Sequence, residues 1–340
     1  LEVWHTTVLD EEFTDDSGVE TFEEYLALEE RLYRQLDELV IRQVPPEHRS
    51  KVNRYTRGSQ SDPTRWDRDW NRTYELTTPD SRAGFLLLHG MSDSPYSLRN
   101  IGQRLHAAGG WVVGMRMPGH GTAPSGLRHA TWEDMAAAVR IGVRHLRDRI
   151  SDKPIFLVGY SNGGALSVHY ALDSIEDASL PRVDGLVLFS PMIGVTPAAA
   201  LAIWQERIGW LLRLEKLKWN GVGPEYDPFK YVSFTINAGN QTYRLTRELA
   251  ERFEEMRGSL GEFPPVLAFQ SAADATVSAP ALISGLMEWL PEGDHELVLF
   301  DINRMVESAN LLKHDPGPEL MRLLKSGNRD FTLSVVTNAG

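Results

Sequence analysis

From Ala83 onward, short apolar runs alternate with longer stretches of helical periodicity. The runs are GFLLL (84–88), WVVGM (111–115), IFLVG (155–159), GLVLF (185–189), VLAFQ (266–270) and ELVLF (296–300). Each is continuous rather than alternating, as expected for strands buried on both faces. Between them, Trp132 to Arg149 reads as an amphipathic helix that Thr131 and Asp134 can open as a capping box. Strands and helices in alternation predict an α/β fold with a mostly parallel central sheet and helices on both faces. The last run, FTLSVVTN (331–338), reads as a further strand close to the end of the chain.

Two intervals depart from this rhythm. Residues 1–80 read as a helical and irregular N-terminal extension. Thr21 to Val44 read as its charged amphipathic helix, with Tyr25, Leu26, Leu28, Leu32, Leu36 and Leu39 at roughly helical spacing. The remainder to Asp80 is polar, with RWDRDW at its centre; the ligand pattern of a calcium loop is missing there, so it reads as a solvated loop. The second interval, 195–262, splits the core into 81–194 and 263–340. It carries Trp204, Trp210, Trp219, Tyr226, Phe229, Tyr231, Phe234 and Tyr243, and two helical segments, AAALAIWQERIGWLLRLEKL and RLTRELAERFEEM. An insertion of this length at one point of a sheet predicts a cap or lid, or a helical subdomain with its own core. There are no internal repeats and no low-complexity tract.

Composition narrows the function classes. The chain has 340 residues, 42% hydrophobic and 24% charged, enough for a sizeable core, and a net charge of −12. An acidic surface repels phosphate backbones, so nucleic acid is not an expected partner. No apolar run reaches the roughly 18 residues that span a bilayer. Cysteine is absent, which excludes disulfides, thiolate catalysis and Cys-ligated zinc. The first residue is Leu1 rather than Met, so the expectation is a processed or trimmed N-terminus, which leaves secreted, periplasmic and cytoplasmic locations open. The sequons at Asn71 and Asn240 do not decide between them, and the pattern carries no information on oligomeric state.

The chemistry centres on GYSNGG, where Gly159-Tyr160-Ser161-Asn162-Gly163 fits Gly-x-Ser-x-Gly. It follows a buried strand and precedes a helix beginning GALSVHYAL, the strand–turn–helix setting of a nucleophile elbow. Gly159 and Gly163 lack side chains where strand and helix approach closely. Ser161 would stand at a helix N-terminus, which favours developing negative charge. A serine hydroxyl still needs a base to take its proton and donors aimed at the oxyanion. A second motif, HGMSDSPYSL from His89 to Leu98, directly follows the strand GFLLL.

These motifs resemble the α/β-hydrolase superfamily, in its carboxylesterase and lysophospholipase-like branch. That branch has an HG turn after its third strand, a PGHG loop after its fourth, the elbow after its fifth and a cap after its sixth. Here these are His89-Gly90, Pro118-Gly119-His120-Gly121, Gly159 to Gly163 and roughly 195–262. The resemblance covers about Ala83 to Asp301. It implies that the backbone N–H groups of Met91 and Asn162 form the oxyanion hole, and that His89 and His120 fix loops rather than act as bases or metal ligands. It implies an acid after the seventh strand, which is Asp274 in QSAADATVS, with Asp301 as a weaker rival. The base should follow the eighth strand. His295 lies at the wrong end of that strand, and His314 in LLKHDPG keeps the order Ser, Asp, His. The alternative base is a histidine past Gly340, since a terminal strand suggests a missing tail.

The expected activity is hydrolysis of apolar acyl esters of short to medium chain through an acyl-enzyme, with a small-molecule ester as partner and no cofactor or metal. Lysophospholipase, monoacylglycerol lipase, aminopeptidase and C–C hydrolase chemistries use the same parts. An aminopeptidase would need carboxylates to hold an amino group, for which Glu206, Glu215, Glu225 and Asp227 are candidates. Outside the enzymes, the alternative is a binding protein on a hydrolase scaffold, with the N-terminal helix docking a partner.

Overall fold

The computed structural model describes residues 1–50, 52–194, 218–272, 274, 279–301 and 330–337. The apolar runs form strands β2 (Ala83–Leu88), β3 (Gly110–Met115), β4 (Ile155–Tyr160), β5 (Gly185–Phe189), β8 (Val266–Ser271) and β9 (Glu296–Asp301), and the C-terminal run forms β10 (Thr332–Thr337). Together with β1 (Tyr74–Leu76) they make an eight-stranded sheet in the order β1-β3-β2-β4-β5-β8-β9-β10. Only β1 is antiparallel to its neighbour. It lies in the stretch expected to be irregular; the three residues Tyr74, Glu75 and Leu76 are too short a pattern to reveal an edge strand.

Successive side chains of each strand serve opposite faces. Leu86 and Leu88 join one core with Met115, Leu157 and Leu188, against helices α4 (Trp132–Ile150), α5 (Asn162–Glu176) and α6 (Ile236–Glu255). Leu87 joins Val112 and Val158 in the other core, against α3 (Arg99–Ala107). Both faces are therefore covered at β2, β3 and β4, which is why these strands need no polar side, while β8 and β9 alternate buried and half-buried residues. The expected capping box holds: Thr131 Oγ1 accepts from the Asp134 N–H at 3.1 Å, and Asp134 Oδ2 accepts from the Thr131 N–H at 2.9 Å.

The extension packs on this body. Its short α1 (Val3–Thr6) and long α2 (Phe22–Leu39) stand before the sheet in sequence. Phe13, Phe22, Tyr25 and Leu28 enter the main core. The expected helix to Val44 stops at Leu39 and continues as a tight turn, Ile41–Gln43, before Pro45 and Pro46. Proline disfavours helical backbone in the residue before it. Of the interval 195–262, the structure describes the part from Lys218 onward. There β6 (Trp219–Gly221) and β7 (Phe234–Thr235) pair antiparallel, and α6 lies in the same layer as α5, with Leu245, Leu249 and Phe253 in the main core. The first helical segment of that interval lies outside the described residues.

The order of strands places the site. From β2 the chain crosses to β3 on one side, then returns to β4 beside β2 and continues to β5 on the other. The C-terminal ends of β2 and β4 thus flank a topological switch point, where α/β sheets open a crevice for ligands.

Candidate active site

Ser161 follows the last residue of β4 and precedes the first residue of α5. Its backbone stands at φ 53° and ψ −114°, a conformation an L-residue adopts only under constraint. The constraint is visible in the bonding. The Ser161 N–H donates to Phe189 O at 2.9 Å, and Ser161 O accepts from Met192 and Gly164 at 2.9 and 3.0 Å. The elbow is also pressed against β2. A Cβ on Gly163 would lie 2.0 Å from Leu88 O, and one on Gly159 would lie 2.5 Å from Gly163 O. Both glycines are required by backbone packed on backbone.

That close approach brings the elbow to the turn after β2. Met91 lies in this turn, and its N–H has no hydrogen-bond partner among the described residues. Asn162 opens α5, so its N–H has no intrahelical acceptor. The two donors expected for an oxyanion therefore sit on adjacent strand ends, one at a helix N-terminus. Gly90 packs against Asp93 and Tyr160: a Cβ there would meet Asp93 Oδ2 at 2.9 Å and the Tyr160 ring at 3.1 Å.

His89 is fully engaged with backbone. Its Nε2 accepts from the Met117 N–H at 3.0 Å, so the proton sits on Nδ1, which donates to Gly90 O at 2.9 Å. Burial, and then the neighbouring His120, push its pKa well below the usual histidine value. His120 Nδ1 donates to Pro118 O at 2.9 Å, and burial lowers its pKa to about 4. The two rings meet edge to face at 5.0 Å. Both histidines are thus neutral and bound to the loops that carry them. A further pair, His5 Nε2 and Ser233 Oγ at 2.9 Å, has the distance of a catalytic dyad but the wrong tautomer: His5 Nδ1 accepts from the Glu2 N–H, so Nε2 donates.

Asp274 stands just past β8, its N–H directed at Ser271 O and its Oδ2 3.4 Å from Gln270 Nε2. Asp301, its rival, is the buried last residue of β9. His295 precedes β9, and its Nδ1 accepts from the Val266 N–H at 3.1 Å. His314 lies outside the described residues, as do Glu206 and Glu215. Glu225 is 1% exposed and accepts from the Val232 and Ser233 N–H groups at 3.1 and 2.8 Å. Asp227 caps the Phe229 and Lys230 N–H groups. No group of three His, Asp or Glu able to hold a metal occurs among the described residues, and no described helix is long and apolar enough to cross a membrane.

Sequence reasoning passed over two charged groups here. Asp93, 7% exposed in the turn after β2, pairs with Lys230 Nζ at 3.2 Å. Burial raises its pKa, and Lys230 opposes the rise. Arg116, 0% exposed, follows β3 and meets Glu12 and Glu29 at 2.8 and 3.1 Å. The signal for Arg116 was present in WVVGMRMPGHG: an arginine abutting a buried strand must find carboxylates.

Residues 79–302 match the family described as serine aminopeptidase, S33. The chain belongs to this family. A thermostable monoacylglycerol lipase of a Bacillus species (strain H-257) is 31% identical over 117 residues, which are 34% of this chain and 44% of that protein. The match thus spans less than half of that relative. Among solved structures, one from the work on LipS and LipT, two metagenome-derived lipolytic enzymes, superposes with a TM-score of 0.52 at 20% identity, covering 75% of this chain and 98% of the other. The monoacylglycerol lipase of Paleococcus ferrophilus gives 0.50 at 19% identity, covering 78% and 88%. These two establish the α/β-hydrolase fold expected from the order of motifs.

Proposed function

We propose that this S33-family α/β hydrolase cleaves carboxylic esters through an acyl-enzyme on Ser161. The observation that carries the reading is the elbow: a serine at φ 53°, at the N-terminus of α5, pressed against the turn that bears Met91. Such strain persists only where surrounding structure enforces it, and it exposes the hydroxyl where backbone donors converge. A histidine takes the proton from Ser161 Oγ as the oxygen attacks the ester carbonyl. The N–H groups of Met91 and Asn162 hold the oxyanion, which is the larger part of the rate gain in such sites. The histidine then protonates the leaving alcohol and later activates water to release the acid. Asp274 orients that histidine, and His314 is our candidate for it.

The substrate is an apolar acyl ester of short to medium chain, and monoacylglycerols are the class favoured by the similarity to the Bacillus lipase. An aminopeptidase activity would need a reachable carboxylate for the substrate amine; among the described candidates Glu225 is buried and bound to backbone N–H groups and Asp227 caps a turn, while Glu206 and Glu215 lie outside the described residues. The test is turnover of p-nitrophenyl butyrate and of a monoacylglycerol by wild type, Ser161→Ala and His314→Ala. Loss in both variants supports the full assignment. Loss in Ser161→Ala alone removes His314 from it. Full turnover in Ser161→Ala refutes the reading.

A further inference from the structure

Residues 1–78 lie outside the segment matched to the family, yet they reach the base of the site. Arg116 is the point of contact. Its Nη2 and Nη1 meet the two oxygens of Glu12 at 2.8 and 3.1 Å, and its Nε donates to Glu29 Oε2 at 3.1 Å. Glu29 also accepts from the Thr73 N–H and hydroxyl, at 2.9 and 2.8 Å. Tyr25 donates to Arg116 O at 2.6 Å. Held by both carboxylates of the arm, the guanidinium clamps the following turn: Nη1 donates to His120 O at 3.0 Å and reaches Met117 O at 3.4 Å. Glu12 Oε2 accepts from the Gly119 N–H of the same turn at 2.9 Å. The Met117 N–H in turn binds His89 Nε2, and His89 Nδ1 binds Gly90 O, the carbonyl of the peptide whose N–H belongs to Met91.

We propose that Arg116 is a positioning residue for the oxyanion hole, set by Glu12 and Glu29 of the N-terminal arm through the relay Arg116, Met117, His89 and Gly90 to Met91. The proposal rests on Met91 N–H being an oxyanion donor. The arm is then a working part of the site, not an appendage to the hydrolase body. A buried arginine in this place has two tasks, charge and direction, and only its planar fork can meet two carboxylates and two carbonyls together.

The experiment compares wild type, Glu12→Gln, Arg116→Lys and Arg31→Met in the full chain. Arg31→Met breaks an exposed pair of the same arm, with Glu11, and serves as the control. Three quantities are read: the rate of Ser161 labelling by a fluorophosphonate, kcat and KM per labelled site with p-nitrophenyl butyrate, and Ki for phenylboronic acid, which mimics the tetrahedral state. Removing one oxyanion donor outright costs about 10²–10³ in kcat, so misplacing it should cost about 10-fold or more. Glu12→Gln and Arg116→Lys are expected to lower labelling rate and kcat by about that factor, leave KM within about twofold, and weaken the boronic acid in proportion. Arg31→Met should change none of these. A merely structural role would reduce the number of labelled sites and leave the rates per site intact, and that result overturns the proposal. Wild type that labels but does not cleave esters would remove the substrate class alone, since labelling still reports the hole. Wild type that does not label would remove both readings.

Discussion

The backbone of Ser161 offers a test that does not depend on the substrate. At φ 53° and ψ −114° a residue with a Cβ carries strain of about 1–3 kcal/mol. Ser161→Gly removes the Cβ and with it the strain. Glycine costs about 0.5–1 kcal/mol more conformational entropy on folding, which offsets part of the gain. The net expectation is a protein about 1 kcal/mol more stable than wild type. Ser161→Ala keeps the Cβ and keeps the strain, so it should gain nothing. Both variants lose the nucleophile, so turnover falls in both and stability alone separates them. The assay is urea unfolding of the three proteins at one pH, checked for a common slope, with Tm as a second reading. For domains of 150–250 residues 1 kcal/mol moves Tm by about 2–4 °C, and the shift in this larger chain should sit at or below the lower end. Equal stability of the Gly and Ala variants would refute the argument that the elbow stores strain.

Three further outcomes are expected. Gly163→Ala puts a Cβ 2.0 Å from Leu88 O, against backbone that cannot turn aside, so the elbow must move by about 1 Å; kcat/KM for p-nitrophenyl butyrate should fall about 100-fold, and activity within twofold of wild type would contradict the packing. His120, neutral and buried, has its pKa lowered from 6.5 to about 4, so below pH 6.5 the unfolded chain takes up a proton that the native state refuses. Its stabilisation is complete above pH 6.5 and is lost at about 1.4 kcal/mol per pH unit as pH falls toward 4; in urea titrations from pH 7 to 4.5, His120→Asn should show a slope shallower by one proton, and an unchanged slope would count against the burial argument. Lys230→Met strips the counter-ion from the buried Asp93 carboxylate, so it should cost about 1 kcal/mol at pH 7, while the double variant with Asp93→Asn recovers most of that loss; additive losses in the double-variant cycle would show that the pair is not coupled.

Most of the frame was readable in the chain because its signals are local. The runs around Leu86, Val113 and Leu157 are continuous and apolar because both sheet faces are covered there, and those around Ala268 and Leu297 read as strands although only every second residue is fully buried. The elbow was readable because its glycines are demanded by backbone contacts within a few residues or with the adjacent strand. The rest was hidden for a physical reason. Glu29 meets Arg116 across 87 positions, Tyr231 donates its N–H to Ser92 O, and Lys230 meets Asp93. A carboxylate that will be buried looks in sequence like any carboxylate on an amphipathic helix. Glu225 shows the converse: it reads as an acid free for a ligand, and its oxygens are spent on two backbone N–H groups.

The buried Arg116 also bears on why an acidic arm sits beside a site that must stabilise negative charge. Carboxylates near an oxyanion hole would oppose catalysis if their fields reached it. Here Glu12 and Glu29 end on one guanidinium. Burial alone would lower the Arg116 pKa, but Glu12, Tyr25 and Glu29 carry it well above its usual value, so the cation is permanent. The guanidinium thus offsets one of the two carboxylate charges where the arm enters the core, burial pushes the Glu29 pKa up toward its uncharged form, and what passes on to the site is geometry through neutral groups: the Met117 peptide, the uncharged His89 ring and the Gly90 carbonyl. Replacing His89 by a group that could hold a proton at neutral pH would break that separation. The structure prevents this by burying the ring and giving its Nε2 a donor rather than an acceptor, so the tautomer that aligns Gly90 is also the one that keeps the relay uncharged.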